Sequence, residues 1–310
     1  MSTIAIDEIK PTAPQRERRP EWLKVRAPWG EEYNRVRGLM HGLSLHTVCE
    51  EARCPNVGEC WGAGTATIMI LGDVCTRACR FCAVTTGNPH GIADRLEPMR
   101  VAEAIARLQL KYVVITSVDR DDLPDGGAGI FAETVRQVHQ AVPGISVEVL
   151  TPDFRGNLDQ VKMVVEAHPE VFGQNVETVR RLTHVVRDKR AGYEQTLNVL
   201  QAVKEMDPTI FTKSSIMLGL GEQPEEVLET LGDLRAHQVD LLAIGQYLRP
   251  TDKKRHYPIA EYIHPDQFKA YKRAAAEMGF LYCASGPLVR SSYKAWEAAM
   301  LFPGRLQPQE

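Results

Sequence analysis

A chain of 310 residues, 44% hydrophobic and 25% charged, can bury one large core, yet no apolar run approaches the roughly 18 residues that would cross a bilayer. A formal net charge of -3 provides no basic excess, so neither nucleic acid nor a membrane is an expected partner. Asp7 and Glu8 fall where a secretory signal would be apolar, so the expected location is cytoplasmic, and seven cysteines in that compartment argue against a disulfide framework.

Residues 1 to about 28 are rich in proline and charge, including Arg16–Pro20, and cannot form a core alone; Trp22 and Trp29 are the expected anchors of this arm on the body. Tyr33 to Leu45 then leads into Cys49, Cys54 and Cys60, spaced C-x4-C-x5-C. Three thiols leave a metal site one ligand short. Either a histidine such as His41 or His46 completes a zinc site, or the group holds an iron-sulfur cluster whose fourth ligand comes from far along the chain.

An apolar strand expected over Thr65–Leu71 delivers the next group, Cys75, Cys79 and Cys82, spaced C-x3-C-x2-C. Thiolates are the soft ligands that iron-sulfur clusters take, and three of them fill three corners of a cubane. The fourth iron would then lack a protein ligand, which is the mark of a site that binds substrate; a zinc knuckle would need a fourth ligand at matching spacing. Arg77 and Arg80 are candidates to offset cluster charge, with simple exposure to solvent as the alternative.

Further strands are expected at Tyr112–Val118, Ser146–Thr151, Val171–Val176, Ile210–Leu218, Leu241–Tyr247 and Phe280–Ala284. Between them, Val101, Ala104, Ile105 and Leu108, and later Val227, Leu228, Leu231 and Leu234, keep helical spacing and read as core. Alternating strands and helices imply an α/β fold with a parallel sheet, and six or seven such units suit an open or complete barrel.

In such a barrel the chemistry collects on loops after the strands' carboxyl ends. The loop Asp119–Gly129 is acidic, with Asp122 a candidate for hydrogen bonds to a polar cofactor. The next is Thr151–Gly156. Asn175 and Glu177 are candidates for gripping an amino group and a ribose, although Asn175 also fits a helix cap. Leu218–Glu222 is a weak anion-binding signal, since close helix-strand packing uses the same glycines. Lys213 reads as a charge on a buried face near the site. The run Lys253–His256 after Arg249 is a basic patch suited to an acidic partner. Cys283 reads as a small buried hydrophobe, and the Ser291–Ser292 pair as the cap of a helix over Tyr293–Ala299.

The C-x3-C-x2-C group resembles the signature of the radical S-adenosylmethionine enzymes. With the C-x4-C-x5-C group before it and Arg290-Ser-Ser-Tyr293 at the end, the sequence resembles the lipoyl synthase family from Cys49 to Tyr293. The resemblance implies an open parallel β/α barrel over residues 65–285, an extension over 1–64 carrying the auxiliary cysteines, and a closing segment over 286–310. It implies two 4Fe-4S clusters and S-adenosylmethionine as cofactors. Cys75, Cys79 and Cys82 would hold the cluster that binds S-adenosylmethionine, with Phe81 packing on the adenine; Cys49, Cys54, Cys60 and Ser292 would hold an auxiliary cluster that donates sulfur. The implied reaction inserts sulfur at C6 and C8 of an octanoyl group on a lipoyl-carrier domain, such as a glycine cleavage H protein or a 2-oxoacid dehydrogenase E2 subunit, with electrons from a ferredoxin or flavodoxin.

Overall fold

The computed structural model describes residues 20–25, 30–51, 54–62, 67–293, 295 and 297. Trp29, Thr65, the arm before Pro20, the junction at 64–65 and most of the helix expected after Tyr293 lie outside these residues.

The chain enters through α1 (Glu31–Gly42), a two-residue strand β1 (His46–Thr47), and short helices α2 (Val48–Glu51) and α3 (Val57–Gly62). Strand β2 (Thr67–Ile70) opens the repeating part, and two short strands, β3 (Val74–Cys75) and β4 (Thr85–Thr86), pair with each other beyond it. Then α4 (Glu97–Leu108), β5 (Tyr112–Ser117), α5 (Ala128–Ala141), β6 (Ser146–Leu150), α6 (Leu158–Val165) and β7 (Val171–Gly173) follow. The remainder runs α7 (Thr183–Val186), α8 (Tyr193–Met206), β8 (Phe211–Leu218), α9 (Pro224–Ala236), β9 (Leu241–Gln246), α10 (Pro265–Glu277) and β10 (Tyr282–Gly286).

These elements form one eight-stranded sheet in the order β1-β2-β5-β6-β7-β8-β9-β10, parallel except for β1, and not closed into a barrel. Helical crossovers force the parallel order, because a short turn cannot return a strand in the same direction. The expected stripe Val101, Ala104, Ile105 and Leu108 is buried against the sheet, and α4 stops where Gln109 turns left-handed, at φ 54°. Helix α9 starts from a capping box in which Gln223 and Glu226 satisfy each other's backbone N–H, with Pro224 in the first turn. Leu228 is a correction: it is 38% exposed, and the buried stripe runs Val227, Leu231, Leu234. The strands expected to reach Val118 and Val176 end at Ser117 and Gly173, where the chain breaks away to build loops, and the last strand is displaced to Tyr282–Gly286.

Inside the curve of the sheet, Tyr112, Val114, Val171 and Leu241 pack together with Ala295. The same interior carries a buried ion pair: Lys213 Nζ donates to Glu148 Oε1 at 2.8 Å, and the Tyr112 hydroxyl donates to Glu148 Oε2 at 2.5 Å. Lys213 is thus a neutralised interior charge. The backbone of residues 287–289 lies directly on β9. A Cβ at Gly245 would stand 2.1 Å from the Val289 carbonyl oxygen, so only glycine permits this approach. Asn56 Nδ2 donates to the Leu288 carbonyl at 2.7 Å, tying this segment to the cysteine-bearing extension.

Candidate active site

Immediately after β2 the chain loops out and is cinched by the β3–β4 pairing, in which Val74 and Cys75 stand beside Thr85 and Thr86. Cys75, Cys79 and Cys82 lie within that loop and line one cavity of about 180 Å³ together with Asp119, Asn175 and Glu177. Backbone N–H groups are aimed at the sulfurs. Those of Arg77 and Asp119 reach Cys75 Sγ at 3.4 and 3.3 Å, and that of Asp188 reaches Cys79 Sγ at 3.3 Å. Such donors favour thiolates. Burial does the opposite, pushing Cys75 and Cys79 up to about 12 and raising Cys82 as well. A metal entering this cavity must therefore displace protons, and the N–H groups are already arranged to receive the resulting charge.

The loop is held by a guanidinium fork. Arg77 donates to Asp121 through Nε and Nη2, at 2.9 and 3.0 Å, and to Asp153 through Nη1 and Nη2, at 2.9 and 2.7 Å. Its Nε also lies 3.2 Å from Asp119. Arg155 and Arg190 approach Asp121 at 3.0 and 3.1 Å. Burial pushes Asp119 up to about 6 against the pull of Arg77. Arg77, expected to offset cluster charge, is already neutralised by aspartates; Arg80 stacks 4.9 Å over the Tyr257 ring.

The structure brings Phe81, Asn175 and Glu177 to the cavity. Asn175 Nδ2 donates to Glu177 Oε1 at 3.1 Å, so Asn175 serves its neighbour and caps no helix. Burial raises the Glu177 carboxyl, opposed by Arg187 and Asn175. Asp122 is not brought there: its oxygens take Arg120 at 2.8 and 2.9 Å and the Gly91 N–H at 2.7 Å. The acidic loop contributes Asp119 to the cavity instead. In Leu218–Glu222, the N–H groups of Gly219 and Leu220 are consumed by Glu222, at 2.6 and 2.9 Å, and a Cβ at Gly219 would strike Gln246 Nε2 at 2.2 Å. That loop is a packing turn. Sequence reasoning missed Gln174, which is 3% exposed, lines the cavity, and has a side-chain oxygen without a partner.

The other cysteine group gathers at the opposite end of β2. Pairing of His46 with Met69 and Thr47 with Ile68 lays α2 beside the strand. The Thr67 N–H faces the Cys49 sulfur, and Thr67 Oγ1 donates to Ser292 Oγ at 2.8 Å. Tyr293 OH donates to Glu59 at 3.1 Å, next to Cys60, and Arg290 supplies positive charge near Cys54. Burial pushes Cys49 up to about 11. The fully buried Trp61 indole N–H points toward Cys49 without completing a protein hydrogen bond. His41 and His46 lie instead against Glu50 and Glu51, at 3.2 and 3.5 Å.

All seven cysteines are free thiols. Among the described residues no three Cys, His, Asp or Glu side chains converge on a point that would hold a single ion. Each end of β2 nonetheless offers the soft donor set a cluster takes, with N–H groups directed at sulfur.

The sequence model of the Radical SAM superfamily matches residues 69–234, and that of the N-terminal domain of lipoyl synthase matches residues 5–54. A lipoyl synthase of Thermus thermophilus is 59% identical over 277 residues, covering 89% of this chain and 85% of that one. One of Deinococcus radiodurans is 54% identical over 297 residues, covering 96% and 89%. The FeFe-hydrogenase maturase HydG from Carboxydothermus hydrogenoformans shares the fold, with a TM-score of 0.53 at 12% identity over 75% of this chain and 64% of that one. The chain belongs to the lipoyl synthase family of radical S-adenosylmethionine enzymes.

Proposed function

We propose that this protein is a sulfurtransferase that inserts sulfur at C6 and C8 of an octanoyl group carried on a lipoyl-carrier domain. Cys75, Cys79 and Cys82 would hold the 4Fe-4S cluster that binds S-adenosylmethionine, and Cys49, Cys54, Cys60 and Ser292 the auxiliary 4Fe-4S cluster. The observation that carries this reading is Thr67, whose N–H faces Cys49 and whose hydroxyl reaches Ser292, 225 positions away, at 2.8 Å. A hydroxyl oxygen is a hard ligand among soft ones, which makes its corner the one most readily given up.

The C–H bonds at C6 and C8 have no adjacent carbonyl to acidify them, so no side-chain base can break them near neutral pH. When bound, S-adenosylmethionine and its cluster supply the one-electron chemistry for those bonds, and the auxiliary cluster supplies the sulfur. The chain's own residues position and shield. Arg77 locks the first cysteine loop onto the loops that carry Asp121 and Asp153. Phe81, Val118 and Leu150 provide apolar wall that excludes water from a reactive carbon. Gln174, Asn175 and Glu177 provide a polar side suited to the cofactor's ammonium and hydroxyl groups. Electrons would come from a low-potential donor such as a ferredoxin or flavodoxin.

A Cys79→Ala protein, reconstituted with iron and sulfide, is expected to release no 5'-deoxyadenosine, whereas the parent converts an octanoylated carrier to a product heavier by two sulfur atoms. Normal cofactor cleavage by the variant would overturn the assignment of the first trio. An unchanged carrier mass with the parent would overturn the reaction.

A further inference from the structure

One sequence feature has no part in the site described above: the basic run from Arg249 to His256. On a chain whose net charge is -3, this loop places Arg249, Lys253, Lys254 and Arg255 against the single carboxylate of Asp252. Lys253, Lys254 and Arg255 are exposed, and none of the four cations pairs with a carboxylate among the described residues. Solvated charge runs are common on surfaces, but this one is fastened to a particular place. His256 is buried beneath it, with Nδ1 2.7 Å from Thr251 Oγ1 and Nε2 3.1 Å from the Cys82 carbonyl oxygen. Arg255 reaches the carbonyls of Cys82 and Val84 and the hydroxyl of Thr86, at 3.5, 3.5 and 3.3 Å. The Tyr257 N–H donates to the Arg80 carbonyl at 2.9 Å. The loop therefore covers the backbone of the third cysteine of the first trio and holds its lysines outward. Exposed Lys189 follows Asp188, whose N–H is bonded to Cys79.

We infer that this cationic loop is the docking surface for an acidic, low-potential one-electron carrier protein that reduces the S-adenosylmethionine-binding cluster. The inference rests on the proposed function and adds the route of electron entry. An octanoyl amide is neutral, so these cations have nothing to bind on the substrate arm itself. An electron must instead arrive beside the cysteine loop itself, and the loop's only covering at Cys82 among the described hydrogen bonds to its carbonyl is this basic segment. One electron leaves the donor, which is oxidised, and passes to the cluster, which is reduced; no covalent bond forms between the proteins. Opposite charge on the donor would accelerate encounter and make it sensitive to salt.

The test is Lys253→Glu/Lys254→Glu in the full chain, reconstituted and compared with the parent for iron content. With reduced flavodoxin as donor, 5'-deoxyadenosine formation is expected to fall about tenfold and to lose most of its salt dependence. With dithionite as donor, rate and KM for an octanoylated carrier domain should equal those of the parent. Equal rates with flavodoxin would overturn the inference, and so would a raised carrier KM under dithionite, which would assign the loop to the carrier instead. Failure of the parent itself to form product under dithionite would sink the proposed function rather than the docking surface.

Discussion

Replacing Arg77 by Met removes the guanidinium fork that joins the cysteine loop to the loops carrying Asp121 and Asp153. Its side chain is 3% exposed, with Asp153 at 0% and Asp121 at 7%, so solvent does little to screen the fork. Exposed ion pairs contribute about 0–1 kcal/mol. Removing one partner of a buried pair costs about 3–5 kcal/mol, because the other charge stays in the interior unpaired. Asp121 keeps Arg155 and Arg190, whereas among the described side chains Asp153 has no second cation within salt-bridge distance. The expected loss is therefore about 3–5 kcal/mol, most of it arising at Asp153. Urea unfolding of the cluster-free protein would measure it, with iron counts on the reconstituted form. Adding Asp153→Asn to Arg77→Met should return part of the loss, since it removes the stranded charge. A cost under about 1 kcal/mol, or a double variant no better than the single, would refute the claim that the fork braces the loop.

Ser292→Ala should bring iron down from about eight toward about four per chain while cofactor cleavage persists in part, read by iron analysis and 5'-deoxyadenosine release; unchanged iron would count against the ligand role. Gln174→Leu should weaken S-adenosylmethionine binding by about five- to tenfold in equilibrium dialysis, with cluster content intact, because it deletes a buried side-chain oxygen that has no protein partner to lose. Burial works to raise Asp121, but its hydrogen bonds and charge pairing with Arg77 prevail and hold it at about 2. Its stabilisation is complete above the ordinary carboxylate value of about 4 and is lost as pH falls through the folded value. Asp121→Asn should therefore be less stable than the parent at pH 7, with the gap closing below about pH 4 in urea titrations of the cluster-free protein.

The parts of this molecule that could be read from sequence are those written in local patterns. Cysteine spacing, the strand runs and the stripe Val101–Leu108 all depend on neighbours within a turn or two of chain. Strand ends were less legible: β7 stops at Gly173, where Gln174 and Asn175 interrupt the apolar run, although Val176 resumes it beyond them. The partners of Arg77 could not be read at all. Asp121 and Asp153 lie 44 and 76 positions away and look like ordinary loop aspartates. Asp122 looked as suitable a site residue as Asp119, and only the packing of Arg120 and Gly91 separates them. The contact between Ser292 and Thr67 was foreshadowed solely by family resemblance, because nothing local joins Thr67 to the far end of the chain. Gln174 carried no signal, because the sequence reading placed it inside the expected strand Val171–Val176, which ends at Gly173.

Strand β2 stands between the two sulfur groups, and its length acts as a gauge. Thr67 to Ile70 covers about 10 Å of extended backbone, and its position is fixed by two rungs to β1 and four to β5. One added residue would rotate every later side chain to the opposite face, and two would lengthen the interval by about 7 Å. The interval between the two cysteine groups, over which the proposed reaction would work a carbon chain, is thus stored in main-chain hydrogen bonds, beyond the reach of most single side-chain replacements.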